Sequence, residues 1–220
     1  TLDEMGALTE KIQATTGTPA WCAGFESGTA TGWPGTDWVE DYVLRQSGPD
    51  VYDQWVTNEV KFTDPQIKQA FDSVGEVLLN PANVNAGFGD VRSINSTAFG
   101  DVAPKLAGGE CALTHQASFL SGFFPDGTKV AEDGDVWAFM LPGESADDSA
   151  VTGAGEIVGA FSDSEATQQV LAYLSSPEWA NSRVSLGGVT SANNGLDPAN
   201  AKDPILQETI KILQDPNTTF

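Results

Sequence analysis

The chain has 220 residues, enough for one large domain, and its 40% hydrophobic content with six Trp and eleven Phe excludes a disordered polymer. Ten Lys and Arg against 31 Asp and Glu leave a formal charge of −21, which makes nucleic acid and anionic lipid poor partners. No run of about 18 apolar residues occurs, so no membrane span is expected, and no signal peptide is read.

Thr1-Leu2-Asp3-Glu4 has the spacing of a helix capping box. Leu2, Met5, Leu8 and Ile12 form an apolar stripe, which predicts a helix over 1–15 stopped by Gly17. A chain that opens on a cap rather than on Met reads as part of something longer. Residues 19–25 read as a strand, followed by a Gly-rich loop from Gly28 and then a helix over 36–46, with Pro34 suited to its first turn. Pro49 opens a short second helix carrying Val51, Tyr52 and Trp55. Residues 60–62 are a short extended piece. Asp64-Pro65 starts a helix with Ile67, Phe71, Val74 and Leu78 on one face.

Residues 82–94 read as a loop. Ser96 caps a helix through Phe99, Val102 and Leu106, closed by Gly108-Gly109. A short strand over 111–114, a helix over 116–124, a turn at Pro125-Asp126-Gly127, a strand over 136–141 and an acidic loop over 142–149 follow. Residues 150–161 form an extended run. Ser162 or Asp163 caps a helix with Val170, Leu171 and Leu174, and Pro177 and Pro204 open the last two helices around a polar loop over 187–200. Short strands separated by helices describe an α/β architecture, and beyond about 157 the pattern is nearly all helical.

The loop at 28–38 holds Thr31, Trp33, Asp37 and Trp38. A flat aromatic face beside hydroxyl and carboxylate groups suits a neutral, hydroxyl-rich ligand such as a sugar; the alternative is that both tryptophans are core. His115, the chain's single histidine, follows Cys111 by four residues, yet the two cysteines lie too far apart in sequence for a zinc site, and no metal or cofactor is expected. The carboxylates Asp37, Glu40, Asp41 and Glu156 could be drawn as a glycosidase pair, but 31 acids make such pairs unavoidable. Gly153-Ala154-Gly155-Glu156 lacks the spacing of a nucleotide loop. Cys22 and Cys111 are either a disulfide, which implies an exported protein, or two buried thiols.

Several blocks together are similar to the family 1 extracellular solute-binding proteins of carbohydrate ABC transporters, the α-glucoside type in particular. They are Thr1 to Glu4 with Leu8-Thr9, the run Thr31 to Asp41, Phe99 with Leu106 to Phe119, Gly153 to Glu156, and Ser176 to Ala180. The resemblance implies a type II periplasmic-binding-protein lobe: a small mixed sheet flanked by helices, with a mostly helical C-terminal part. It divides the chain into most of a second lobe, 1–155, and a hinge crossing with helices that pack on an absent first lobe, 156–220. It further implies a binding protein rather than an enzyme, with a glycoside-acting enzyme as the alternative. A carbohydrate would be held in an interlobe cleft and passed to permease subunits outside the cytoplasm, with a lipid anchor in the missing N-terminus. The residues expected to hold ligand are Thr31, Trp33, Asp37, Trp38, His115, Gln116, Ser118, Gly155 and Glu156, and Cys22 and Cys111 are expected to be disulfide-bonded.

Overall fold

A computed structural model describes residues 1–85, 91–145 and 150–220. Parts of the loops expected over 82–94 and 142–149 fall outside these residues. Helix α1 (Leu2–Thr16) forms as the capping box dictates. The Thr1 side chain accepts from the Glu4 N–H, the Glu4 carboxylate answers the N-terminus, and Gly17 ends the helix at φ 72°, a conformation open to glycine. Its buried stripe runs through Met5 and Thr9 rather than Leu8, which is 38% exposed. Thr9 wins that position because its hydroxyl accepts the Trp21 indole N–H at 3.0 Å while donating to the Met5 carbonyl.

The strand expected over 19–25 contracts to β1 (Trp21–Cys22), which pairs in parallel with β2 (Val84–Asn85) inside the segment expected to be loop. On its other side β1 bridges Leu113, also in parallel, so the expected strand at 111–114 reduces to one bridge. Every described pairing is parallel, and no mixed sheet forms among the described residues. Farther along, Phe25 and Glu26 donate to the carbonyls of Ile94 and Thr97. Gly24 is obligatory there, since a Cβ would stand 2.6 Å from the Ala98 carbonyl oxygen.

Helix α2 (Trp33–Val56) breaks at Gly48 (φ 81°, ψ 170°) ahead of Pro49, which yields the two expected segments, the first beginning three residues earlier than expected. Helix α3 (Pro65–Leu78) packs on it through Ile67, Ala70, Val74 and Leu78. Ala70 takes the buried place expected of Phe71, which is 47% exposed. Residues 60–64 form a turn, not an extended piece, because the Asp64 carboxylate accepts the Lys61 N–H at 2.5 Å. Trp21, Trp38, Tyr42 and Val43 join these α3 residues in the main core.

Helix α4 (Val102–Ala107) is shorter than expected and follows a 3₁₀ turn at Phe99–Asp101; Ser118–Phe123 is likewise a 3₁₀ segment instead of an α-helix. Cys22 and Cys111 form a disulfide (Cα–Cα 5.6 Å) in a small core with Val102, Ala103 and Leu120. The strand expected over 136–141 reduces to a Val130–Val136 bridge. Helices α5 (Glu165–Leu174), α6 (Pro177–Val184) and α7 (Pro204–Gln214) start at Ser164, Ser176 and Asp203, each capping with its side chain. Helices α6 and α7 share a separate core of Ala180, Val184, Leu196, Ala201, Leu206 and Ile210.

Candidate functional site

The first half of α2 carries Trp33, Asp37, Asp41 and Arg45 at four-residue intervals. That spacing puts all four on one helical face, with Glu40 beside them. The face forms one wall of an open cleft of about 640 Å³. Residues 113–121, 137–141 and 151–154, together with Ile205 of α7, complete the lining. Neighbouring α2 positions Trp38, Val39, Tyr42 and Val43 point into the core and anchor the wall.

The aromatic part of the cleft is a small cluster. Trp33 meets Phe99 edge-on at 5.2 Å between ring centres and Phe119 at 5.7 Å, and Phe99 meets Phe123 at 5.3 Å. Such edge contacts fix the half-buried indole and leave part of it facing the cleft. Trp137 and Phe139 add aromatic surface from the stretch expected to be a strand, and Phe139 is 62% exposed.

Two carboxylates one helical turn apart are pushed in opposite directions. Asp41 is largely buried and fully bonded: His115 Nε2 lies 2.6 Å from its Oδ2, and the Thr152 hydroxyl donates to its Oδ1 at 2.6 Å. Burial would raise its carboxyl, but the bonds and charge of His115, the Thr152 hydroxyl and the Arg45 guanidinium hold it below the usual 3.8. Among the described residues Asp37 has no such support. Burial and the neighbouring charge of Glu40 raise its carboxyl to about 6, against a smaller opposing pull from His115. Glu40 itself accepts the Tyr52 hydroxyl at 3.2 Å. The His115 ring packs 4.6 Å from Trp38, and its Nδ1 is buried with no hydrogen-bond partner among the described residues.

Of the residues singled out from sequence, Trp33, Asp37, His115, Gln116 and Ser118 line this one cleft. Four do not. Thr31 is exposed, and its hydroxyl is engaged with its own turn, donating to the Gly28 carbonyl and accepting the Ser27 N–H. Trp38 is 2% exposed and packs on Trp21 and Tyr42, so the core reading holds for it. Gly155 and Glu156 lie in a wholly exposed stretch outside the lining. Sequence reasoning missed Thr152, Trp137 and Phe139 as cleft residues. Only the aromatic density of 137–139 signals any of them. Among the described residues no group of His, Cys, Asp and Glu could hold a metal ion.

No protein-family model and no solved structure matches the chain. Curated proteins do. The chain is 41% identical over 181 residues to the alpha-glucosides-binding periplasmic protein AglE of Rhizobium meliloti, covering 80% of this chain and 38% of that protein. It is 35% identical over 216 residues to the osmoprotective compounds-binding protein GgtB of Synechocystis, covering 97% and 50%. An uncharacterized ABC transporter extracellular-binding protein of Pyrococcus horikoshii is 31% identical over 146 residues, covering 66% and 30%. The chain thus spans half or less of the length of the curated relatives it matches. All three relatives are named as binding proteins, one of them periplasmic and one extracellular, and no described helix here is long and apolar enough to cross a membrane. The chain is a homologue of the solute-binding proteins of ABC transporters.

Proposed function

We propose that the protein containing this chain captures a sugar or oligosaccharide, of the α-glucoside class, and delivers it to the permease of an ABC importer. The observation that carries this reading is the make-up of the cleft. An aromatic ring held by edge contacts (Trp33) stands one helical turn from a carboxylate with no hydrogen bond from the described residues (Asp37), and the same cleft is lined by the amide of Gln116 and the hydroxyl of Ser118. Sugar C–H faces stack on an indole, and sugar hydroxyls bond to carboxylate, amide and hydroxyl groups. The name of the AglE relative supports the same class. A binding role is further supported by the origin of the cleft carboxylates. Asp37, Glu40 and Asp41 all come from one helix, and Glu156 does not line the cleft, whereas glycoside hydrolysis needs carboxyls on both sides of the scissile bond.

In this reading residues 1–155 form most of one type II lobe, and 156–220 form a crossing with helices that pack on the remainder of the protein, anchored by lipid outside the cytoplasm. Support for the packing is the apolar surface of the crossing: Ile157 is 97%, Phe161 102% and Val170 56% exposed, far more than a finished surface leaves together. The test is calorimetry on the whole protein, with the ligand chosen by a thermal-shift screen of mono- and oligosaccharides. Trp33→Ala and Asp37→Ala should each weaken binding by about 1–3 kcal/mol while leaving the fold intact. Unchanged affinity in both variants refutes the site.

A further inference from the structure

Asp41 does more than a ligand contact would need, because it ties together three stretches far apart in sequence. Its own helix supplies the Trp33–Asp37 wall of the cleft. Through Oδ2 it holds His115, 74 residues away, and through Oδ1 it holds Thr152, 111 residues away, both at 2.6 Å. Two more bonds converge on the same spot. Arg45, one turn on, donates to the Ala150 carbonyl at 2.6 Å, and the Val151 N–H donates to the Thr219 carbonyl at 2.9 Å. The pinning ends abruptly after Thr152: every residue from Gly153 to Ala166 is exposed. Thr152 is therefore the root of a long exposed connector, and Asp41 is what fastens that root to the cleft.

We propose that Asp41 is a positioning residue that makes the root of the connector and the wall of the cleft one hydrogen-bonded unit, so that displacing Thr152 reshapes the ligand site. The proposal rests on the cleft being the ligand site. An apolar contact would hold the same segments without desolvating a carboxylate and an imidazole. What the polar node adds is direction. Both carboxylate oxygens are satisfied at once only when His115 and Thr152 stand in one arrangement, and a shift of about 1 Å at either breaks a bond of this length. An ionised Asp41 also keeps the His115 proton on Nε2, which fixes that ring in the cleft wall. The same bonds hold the Asp41 carboxyl below its usual range, which favours the ionised form that accepts from both partners.

Three measurements on the whole protein test this: His115 ring ¹⁵N shifts, amide hydrogen exchange over 150–154, and calorimetry with maltose as the simplest α-glucoside probe. Thr152→Val removes the hydroxyl at nearly constant volume. It should move the His115 ring shifts, speed exchange at the root, and weaken maltose binding about tenfold, the scale of a typical coupling between sites. Thr152→Ser should restore all three. Maltose affinity unchanged in Thr152→Val despite faster exchange would make the node merely structural and overturn the proposal. Ring shifts and exchange both unchanged would show that Thr152 does not bond Asp41 in solution, which overturns it equally. A wild-type protein that binds neither maltose nor any screened sugar fails earlier, at the sugar reading itself, and is thereby told apart from failure of the node.

Discussion

Asp37 should cost the fold stability, and Asp37→Asn should recover it. The carboxyl is raised from 3.8 to about 6 by burial and by Glu40. Each pKa unit corresponds to about 1.4 kcal/mol, so a bare conversion gives roughly 3 kcal/mol against the ionised form. Asp37 is only half-buried, and solvent screening cuts that to about 1–1.5 kcal/mol. The sign follows from linkage. Between pH 3.8 and about 6 the folded chain binds more protons at Asp37 than the unfolded chain does, so this group lowers stability as pH rises through that window, and the cost stays constant above it. An Asn side chain resembles the neutral acid and escapes the cost. Thermal unfolding followed by circular dichroism should therefore place Asp37→Asn about 2–6 °C above wild type at pH 8 and level with it at pH 3. The acid loss at Asp41, whose carboxyl is lowered, occurs in both proteins and cancels in the comparison. An Asn variant that melts lower at pH 8, or that keeps the same advantage at pH 3, would refute the assignment of an uncompensated charge.

Thr9→Val should cost about 1–3 kcal/mol in denaturant unfolding, since it leaves the buried Trp21 indole N–H without its acceptor while the volume hardly changes. Thr9→Ser, which keeps the hydroxyl, should lose much less. Breaking the Cys22–Cys111 bridge, which closes a loop of 89 residues in sequence separation, should lower stability by about 3–4 kcal/mol; equal midpoints with and without reductant would contradict this. A formal charge of −21, with most acids on the exposed surface, repels itself. Raising NaCl from 0.1 M to 1 M shortens the screening length from about 10 Å to about 3 Å and should raise the melting temperature by several degrees, and a flat response would show that the repulsion is negligible.

Local signals are legible in this chain, and long-range partners are not. The Thr1–Glu4 box, the Gly48-Pro49 break, and the Pro-led starts of α3, α6 and α7 are set by neighbours within four residues, and each forms where expected. Strands are harder. β2 lies in a stretch rich in Asn and Gly, a composition that reads as loop despite Val84; its two residues are held because the backbone of β1 offers the matching donors and acceptors. The reverse holds at 136–141, where the composition favours a strand but only a single bridge forms, so the aromatic side chains line the cleft instead. In the site, Trp33 and Asp37 are legible because the loop and helix start that present them are adjacent in sequence. Thr152 is not, since its meaning depends on a carboxylate 111 residues away.

The division of labour along α2 explains why the Gly-rich loop and helix start at 28–38 are only partly the site. A helix presents a residue to the same side every fourth position, so Trp33, Asp37, Asp41 and Arg45 face the cleft, whereas Trp38, one step from Asp37, is turned into the core. Along that face the polar groups change character with depth. Toward its far end, Asp41 and Arg45 are bonded to His115, Thr152 and the Ala150 carbonyl, and these bonds hold the cleft in shape. Toward the mouth, no hydrogen bond from the described residues reaches Asp37, and its raised carboxyl shows an ionised form short of partners. A group left in that state gains when a ligand hydroxyl donates to it, because the missing bond is then supplied from outside. The same uncompensated charge that weakens the empty fold thus favours the occupied one, so Asp37→Asn should raise the melting temperature and weaken sugar binding together.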